Sequence, residues 1–243
     1  MTALYDTIGI DYAQLRRPDP RIAMQIERAL GSAQTVLNVG AGAGSYEPAG
    51  RTVTALEPSA EMIRQRPAGA APAVQGSAGE IPFPDQSFDA VMGVLTIHHW
   101  PDQQQGIREM CRVARERVVL LTFDPSARPW LTDYLPELAA LDEAAMPSIE
   151  MLADWLGPVA IETVLVPHDC SDGFLYAYWR RPAAYLDPRI RKGSSSFWKI
   201  EQAEAGFARL AEDLASGAWE QRYGELLAED SYDAGYRLVV SLR

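Results

Sequence analysis

The sequence predicts an α/β fold: a doubly wound, mostly parallel sheet covered by helices, with a largely helical insertion before the last strand. Three observations predict it. Short β-rich apolar runs alternate with helical patterns over the first half of the chain, which implies a parallel sheet buried on both faces. The first run ends directly in a cluster of glycines, at the strand end where such sheets bind ligands. The alternation stops after Asp124, aromatic residues become dense, and strand character returns only at 236–242.

The elements follow in order. Asp19 and Pro20 suit an N-cap and first helical residue, opening a helix that stops near Gly31. Thr35 to Val39 and Thr52 to Leu56 are the first two strands. Ser59 caps a short helix to about Arg66, and Ala73 to Gln75 form a third strand. Phe88 to Leu95 is the fourth strand, Gln103 to Ala114 a helix, and Arg117 to Phe123 the clearest strand of all. Ile161 to Val166 resembles a further strand, and Tyr236 to Leu242 is the last. Between them, Ile200, Ala203, Phe207, Leu210 and Leu214 recur at helical spacing, with Gly217 as a stop. The chain therefore divides into a core of residues 1–168 and 236–243 and an insertion at 169–235.

Composition narrows the function. The 243 residues, 47% hydrophobic, suffice for one sizeable core. A formal net charge of −11 repels phosphate backbones, so nucleic acid is not an expected partner. No segment reaches the ~18 apolar residues of a membrane span, and Met1 to Asp11 lacks the pattern of a signal peptide. Cys111 and Cys170 are too few for a disulfide framework or a four-thiolate zinc site, which fits a cytoplasmic protein without a metal.

The glycine turn, Gly40-Ala41-Gly42-Ala43-Gly44, lets the backbone approach a ligand closely. Glu57 ends the second strand, where a carboxylate can accept hydrogen bonds from both ribose hydroxyls. A nicotinamide dinucleotide is the poorer fit. Its fingerprint wants a third glycine where Ser45 stands, and Pro48 and Gly50 interrupt the helix that would hold a pyrophosphate.

These residues resemble motif I of the class I S-adenosylmethionine-dependent methyltransferases, in particular the small-molecule group that includes the ubiquinone and menaquinone biosynthesis enzymes. The resemblance covers about residues 1 to 124. It extends through Glu57-Pro58-Ser59-Ala60-Glu61-Met62, Gly76 to Phe83, Ser87 to Val91, and Ile97-His98-His99-Trp100-Pro101-Asp102. Asn38, Ser77 and Gly79 depart from the family pattern, where acidic residues are usual. The resemblance implies a Rossmann-like, seven-stranded sheet and S-adenosyl-L-methionine as cofactor. It implies that Gly40, Ala41, Gly42 and Gly44 wrap the methionine and ribose portions and that Glu57 holds the ribose. Pro58, Ser59 and Met62 would flank the adenine, Ser77 and Ala78 meet its edge, and Gly93, Val94 and Leu95 face the sulfonium end. Tyr12 would shield the sulfonium and Arg16 meet a carboxylate. His98 or His99 would take a proton at the reacting centre, since imidazole titrates near neutrality. His168 and Asp169 are weaker candidates for the same cleft.

The expected activity is in-line methyl transfer to an apolar or ring-containing small molecule, with the insertion as a cap. The same apolar stripe would also serve as a dimerisation arm, which leaves a homodimer open. The alternatives are a nicotinamide-dependent oxidoreductase and a non-catalytic S-adenosylmethionine-binding protein.

Overall fold

The computed structural model describes residues 16–201 and 203–242. The first described helix, α1 (Pro20–Ala29), starts where the sequence dictates. Asp19 accepts from the Arg21 amide, and Pro20 occupies a first-turn position that needs no donor. Ile22 and Ile26 recur at helical spacing and bury the inner face.

Five strands follow: β1 (Thr35–Val39), β2 (Thr52–Glu57), β3 (Ala73–Gln75), β4 (Phe88–Val94) and β5 (Ala114–Phe123). Helix α2 (Ala60–Arg64) lies between β2 and β3, and α3 (Gln103–Val113) between β4 and β5. The strands pair in parallel, with Val36 to Asn38 opposite Ala90 to Met92 at the centre. Strand β6 (Val159–Thr163) and the final strand, at Tyr236–Ser241, complete a seven-stranded sheet. The final strand inserts between β5 and β6, antiparallel to both. It runs against the other six described strands, so the expected fold class holds.

The two faces are covered differently. On one, Leu37, Val39 and Val91 meet Ile107, Met110 and Val113 of α3 and Leu152 and Leu156 of α6 (Ile149–Leu156). On the other, Val36, Ala90 and Met92 share a core with Ile22, Ile26 and the aromatic residues beyond Asp124. Trp130 is the hub of that second core. Its ring makes edge contacts with Tyr134, Tyr185 and Trp219, and its indole N–H donates to the Trp179 carbonyl at 2.8 Å.

The late strand and the region before it differ from the sequence expectation. The run expected at Ile161 to Val166 divides. Its first part forms edge strand β6, with Ile161 exposed. Val166–Pro167 turns away as β7 and pairs with β8 (Ser231–Tyr232). Proline has no N–H to give a continuing ladder, and the Trp179 indole takes the Val166 carbonyl. The stretch 131–156 holds three helices that the sequence pattern did not delimit: α4 (Leu131–Tyr134), α5 (Pro136–Ala145) and α6. Between β7 and β8 lie α7 (Pro188–Arg191), α8 (Ala203–Ser216) and α9 (Ala218–Tyr223), with short 3-10 turns. The final strand, β9, then closes the sheet.

Candidate active site

The glycine turn leaves the carboxyl end of β1 with Gly40, Gly42 and Gly44 all in the left-handed region, at φ +69°, +52° and +98°. Glycine adopts that conformation without the strain, about 1–2 kcal/mol, that it costs an L side chain. The three glycines do different work. A Cβ on Gly40 would lie 2.0 Å from Thr96 Oγ1, so this glycine admits the neighbouring strand end. A Cβ on Gly42 would meet only the Met62 methyl, at 3.4 Å, and one on Gly44 the ends of Arg66 and Glu47. Ala41 is buried beside them.

Glu57 fastens this turn. Its Oε2 accepts from the Gly42 amide at 2.8 Å and its Oε1 from the Ser59 amide at 2.9 Å. The carboxylate thus bridges the glycine turn to the start of α2, and is itself 5% exposed. Ser59 is buried and spends its hydroxyl on capping α2, accepting from the Met62 amide. Met62 packs beneath Gly42, and Pro58 is exposed. Ser77 is exposed on the turn after β3, whereas Ala78 is buried against α3, close to Gly106.

A second clamp, without a sequence signal, braces the same turn. Arg66 pairs with Glu47 at 2.6 Å, both nearly buried, and donates to the Gly42 and Ala71 carbonyls. The Asn38 side-chain amide donates toward Glu47 at 3.5 Å. A carboxylate from another position thereby stands beside the residue that departs from the family pattern. Buried guanidinium–carboxylate pairs such as this fix geometry more than they stabilise.

The carboxyl end of β4 joins the turn to a cleft. Gly93 is packed under Leu120, Thr96 and Met110. Val94 is the last residue of β4, and Leu95 follows in a left-handed conformation, φ +51°, at the cleft wall. Thr96 packs beneath Gly40, while Leu95, His98 and His99 on either side of it line the cleft. The cleft encloses about 610 Å³ including its open mouth. Phe123, Phe174, Tyr176 and Tyr236 supply its aromatic wall, with the Phe174 and Tyr236 ring centroids 4.7 Å apart. Asp142, Lys199, Arg16 and the Ser194-Ser195-Ser196 turn supply its polar groups.

Burial holds both histidines neutral. It pushes His98 well below the ordinary imidazole range and His99 down to about 4, helped by the nearby Lys199 and Arg16 charges. The two rings lie 3.8 Å apart, and His98 Nδ1 is buried with no hydrogen-bond partner.

Several expectations change here. Tyr12 lies outside the described residues. Arg16 does meet a carboxylate, but it is that of Asp172, at 2.7 Å. Asp172 is fully buried and also accepts from the Tyr46 hydroxyl. His168 and Asp169 do not line the cleft. His168 sits against the Asp230 carbonyl, and Asp169 pairs with Arg21 on the surface. Of the late aromatics, Trp130, Tyr134, Trp179, Tyr185 and Trp219 are core. Asp142, Glu47 and Arg66 had no sequence signal beyond ordinary helical or loop positions.

A seven-stranded sheet of this order, with an aromatic-walled cleft beside a glycine turn and an acidic strand end, defines a nucleoside-cofactor-binding α/β protein. Comparison with known proteins makes the class specific. Residues 37–122 match a family model described as a methyltransferase domain. A crystal structure from Anabaena variabilis, assigned as a methyltransferase from an antibiotic biosynthesis pathway, is 36% identical. It superposes with a TM-score of 0.87 over 95% of this chain and 100% of that one. The chain therefore belongs to the class I S-adenosylmethionine-dependent methyltransferases. The demethylmenaquinone methyltransferase of Mycobacterium tuberculosis is 27% identical over 165 residues, 62% of this chain and 70% of that protein. The methyltransferase YcgJ of Bacillus subtilis, of uncharacterised function, is 27% identical over 133 residues, 49% of this chain. The match spans about half the length of that Bacillus relative (53%).

Proposed function

We propose that the protein binds S-adenosyl-L-methionine along the glycine turn and transfers its methyl group to a small, ring-containing molecule held in the cleft. The observation that carries this is the shared strand end. Thr96 supports the turn at Gly40, and its neighbours Leu95, His98 and His99 line a cavity with an aromatic wall. A cofactor on the turn would present its methyl group there.

In this reading Gly40, Ala41, Gly42 and Gly44 border the methionine and ribose portions, and Glu57 accepts from the ribose hydroxyls with the lone pairs its backbone contacts leave. Pro58, Ser59, Met62, Ser77 and Ala78 form the adenine side. Gly93, Val94 and Leu95 form the sulfonium side. The sulfonium already activates the methyl group, so the protein has to align nucleophile, carbon and sulfur and exclude water. His98 and His99, held neutral, suit hydrogen bonding to the acceptor better than storing a proton. The insertion at 169–235 caps the cleft through Phe174, Tyr176 and the serine turn at 194–196.

Among the described residues no helix is long and apolar enough to cross a membrane. The net charge of −11 supports a small-molecule rather than a nucleic-acid partner. A sequence with only two cysteines, Cys111 and Cys170, has too few for a disulfide framework, which supports a cytoplasmic setting.

Calorimetric titration with S-adenosylhomocysteine, followed by labelled-methyl transfer to a panel of phenols, quinols, amines and carboxylic acids, tests the proposal. Binding with transfer is expected. Absence of S-adenosylhomocysteine binding to the folded protein refutes it. Hydrogen exchange tests the cap. Protection at 169–186 that responds to ligand supports it, and protection that responds only to protein concentration makes the segment a dimerisation arm.

A further inference from the structure

One carboxylate in the cleft stands where a carboxylate is costly. Asp142 lies in the last turn of α5, and its side chain is buried, at 6% residue exposure. A helix C-terminus carries partial negative charge, which disfavours an anion. Among the described residues no cation pairs with it. Its carboxylate instead accepts from the Tyr176 hydroxyl, at 2.9 Å to Oδ2. Tyr176 is fixed by its neighbours, with ring centroids 5.2 Å from Phe123 and 6.5 Å from Tyr236. Asp142 and Tyr176 both line the cleft that Leu95, His98 and His99 share. Surface acids of a helix have no need of such a position, and unfavourable burial of this kind gathers at sites of chemistry.

We propose that Asp142, oriented by the Tyr176 hydroxyl, accepts the proton from the acceptor, and that the acceptor is a ring-borne hydroxyl. The inference rests on the methyltransferase reading above. The aromatic wall receives the ring, and the carboxylate accepts from its O–H. As the acceptor oxygen attacks, the new O–CH₃ bond forms while the S–CH₃ bond breaks, its electron pair going to sulfur. The sulfonium becomes the neutral thioether of S-adenosylhomocysteine. The attacking oxygen, now bonded to the methyl carbon and still carrying its proton, becomes strongly acidic; that proton passes to Asp142, and the carboxylic acid returns it to water. Burial raises the Asp142 carboxyl to about 6, against about 4 for His99, so the carboxylate is the stronger base of the two. The groups that face it are Tyr176 and Tyr236, Arg128 (itself joined to Glu143), and, along the cleft, His98, His99, Lys199 and Arg16.

The experiment uses the full chain, S-adenosylhomocysteine as cofactor probe, and catechol and 4-nitrophenol as acceptor probes with labelled S-adenosylmethionine. Wild type should methylate at least one phenol, with an acidic limb in kcat/KM near pH 6. Asp142→Asn, nearly isosteric, should lower kcat by about 10²–10⁴-fold and abolish the limb. Its affinity for S-adenosylhomocysteine should stay within about 2-fold of wild type, because it removes no cofactor contact. Tyr176→Phe is a positioning variant. It should keep measurable turnover but move the limb to higher pH, because the carboxylate loses its donor. If Asp142→Asn fails to fold, that shift decides the matter. An undiminished rate in Asp142→Asn, a limb unmoved in Tyr176→Phe, or wild type that binds S-adenosylhomocysteine yet methylates neither phenol overturns the inference. Wild type that does not bind S-adenosylhomocysteine instead overturns the methyltransferase reading, and this inference with it.

Discussion

Gly40 and Gly42 share a left-handed backbone but have different neighbours, so alanine at each should fail in a different way. The left-handed conformation costs an L-residue about 1–2 kcal/mol at either position. At Gly42 little else is added, because the new Cβ would meet only the Met62 methyl at 3.4 Å. At Gly40 the new Cβ would lie 2.0 Å from Thr96 Oγ1 and 2.9 Å from Thr96 Cβ. Overpacking of that kind adds about 1–3 kcal/mol. Gly40→Ala should therefore lose about 2–5 kcal/mol of stability and Gly42→Ala about 1–2. Urea denaturation measures both. Binding should rank the other way per unit of stability lost. The open side of Gly42 is where the cofactor is proposed to lie, so Gly42→Ala should weaken S-adenosylhomocysteine at least ~10-fold, or about 1.4 kcal/mol, by calorimetry. Adding Thr96→Gly should return part of the stability lost in Gly40→Ala, since the two sites are in contact and couple. Wild-type affinity in Gly42→Ala would refute the cofactor placement. Equal stability of the two alanine variants would refute the division of labour between the glycines.

Three other outcomes follow from the same geometry. Glu57→Ala removes the acceptor of the Gly42 and Ser59 amides, so it should cost about 1.5–3 kcal/mol in S-adenosylhomocysteine affinity and lower the melting temperature as well. Unchanged affinity in a folded variant sinks the ribose assignment. Asp172→Ala removes the carboxylate that Arg16 and the Tyr46 hydroxyl share, and should destabilise by about 3–5 kcal/mol. A loss under ~1 kcal/mol would mean that this buried pair is replaceable. His99 is held near 4 against an ordinary 6.5, so the unfolded chain takes up the proton first as pH falls. Its contribution to stability should be lost between about pH 6.5 and 4, by at most roughly 3 kcal/mol, and His99→Gln should flatten that part of the denaturation profile. Asp142 works in the opposite direction, since its raised pKa adds stability as pH falls through about 6. An identical pH profile for His99→Gln and wild type would refute the neutral burial of His99.

The sheet was legible because its strands are short apolar runs punctuated by glycine, proline and aspartate, and parallel strands buried on both faces leave little else for such runs to be. The Gly40–Gly44 turn and Glu57 were legible for the same reason. Their places at strand ends follow from the order of the elements alone. Asp142 was not legible. In Pro136–Ala145 apolar and acidic residues are spread around the helix, so no clean stripe separates a buried acid from a solvated one. Only the packing of α5 against the Tyr176 segment places that carboxylate inside. Asp172 misleads similarly. Asp-Cys-Ser-Asp-Gly suggests an exposed turn, and the residue is buried because Arg16 and Tyr46, distant in sequence, converge on it.

That convergence explains how one chain holds the glycine turn and the cleft in register. Tyr46 ends the glycine turn in a left-handed conformation, φ +62°, and its hydroxyl donates to Asp172 and accepts from the Asp19 amide. Asp19 in turn caps α1 and accepts from the Ser171 amide. Three separated stretches, at 16–19, at 46 and at 171–172, are thereby joined through buried polar groups that have each other as partners. Phe174, Leu175 and Tyr176, which line the cleft, begin two residues beyond Asp172. Apolar packing alone would let the insertion slide over the sheet, because such contacts lack direction. Hydrogen bonds to a buried carboxylate are directional, and breaking them is expensive. The network therefore fixes where the segment from Ser171 to Tyr176 sits relative to the glycine turn, and with it the distance between the proposed methyl donor and the Asp142–Tyr176 pair.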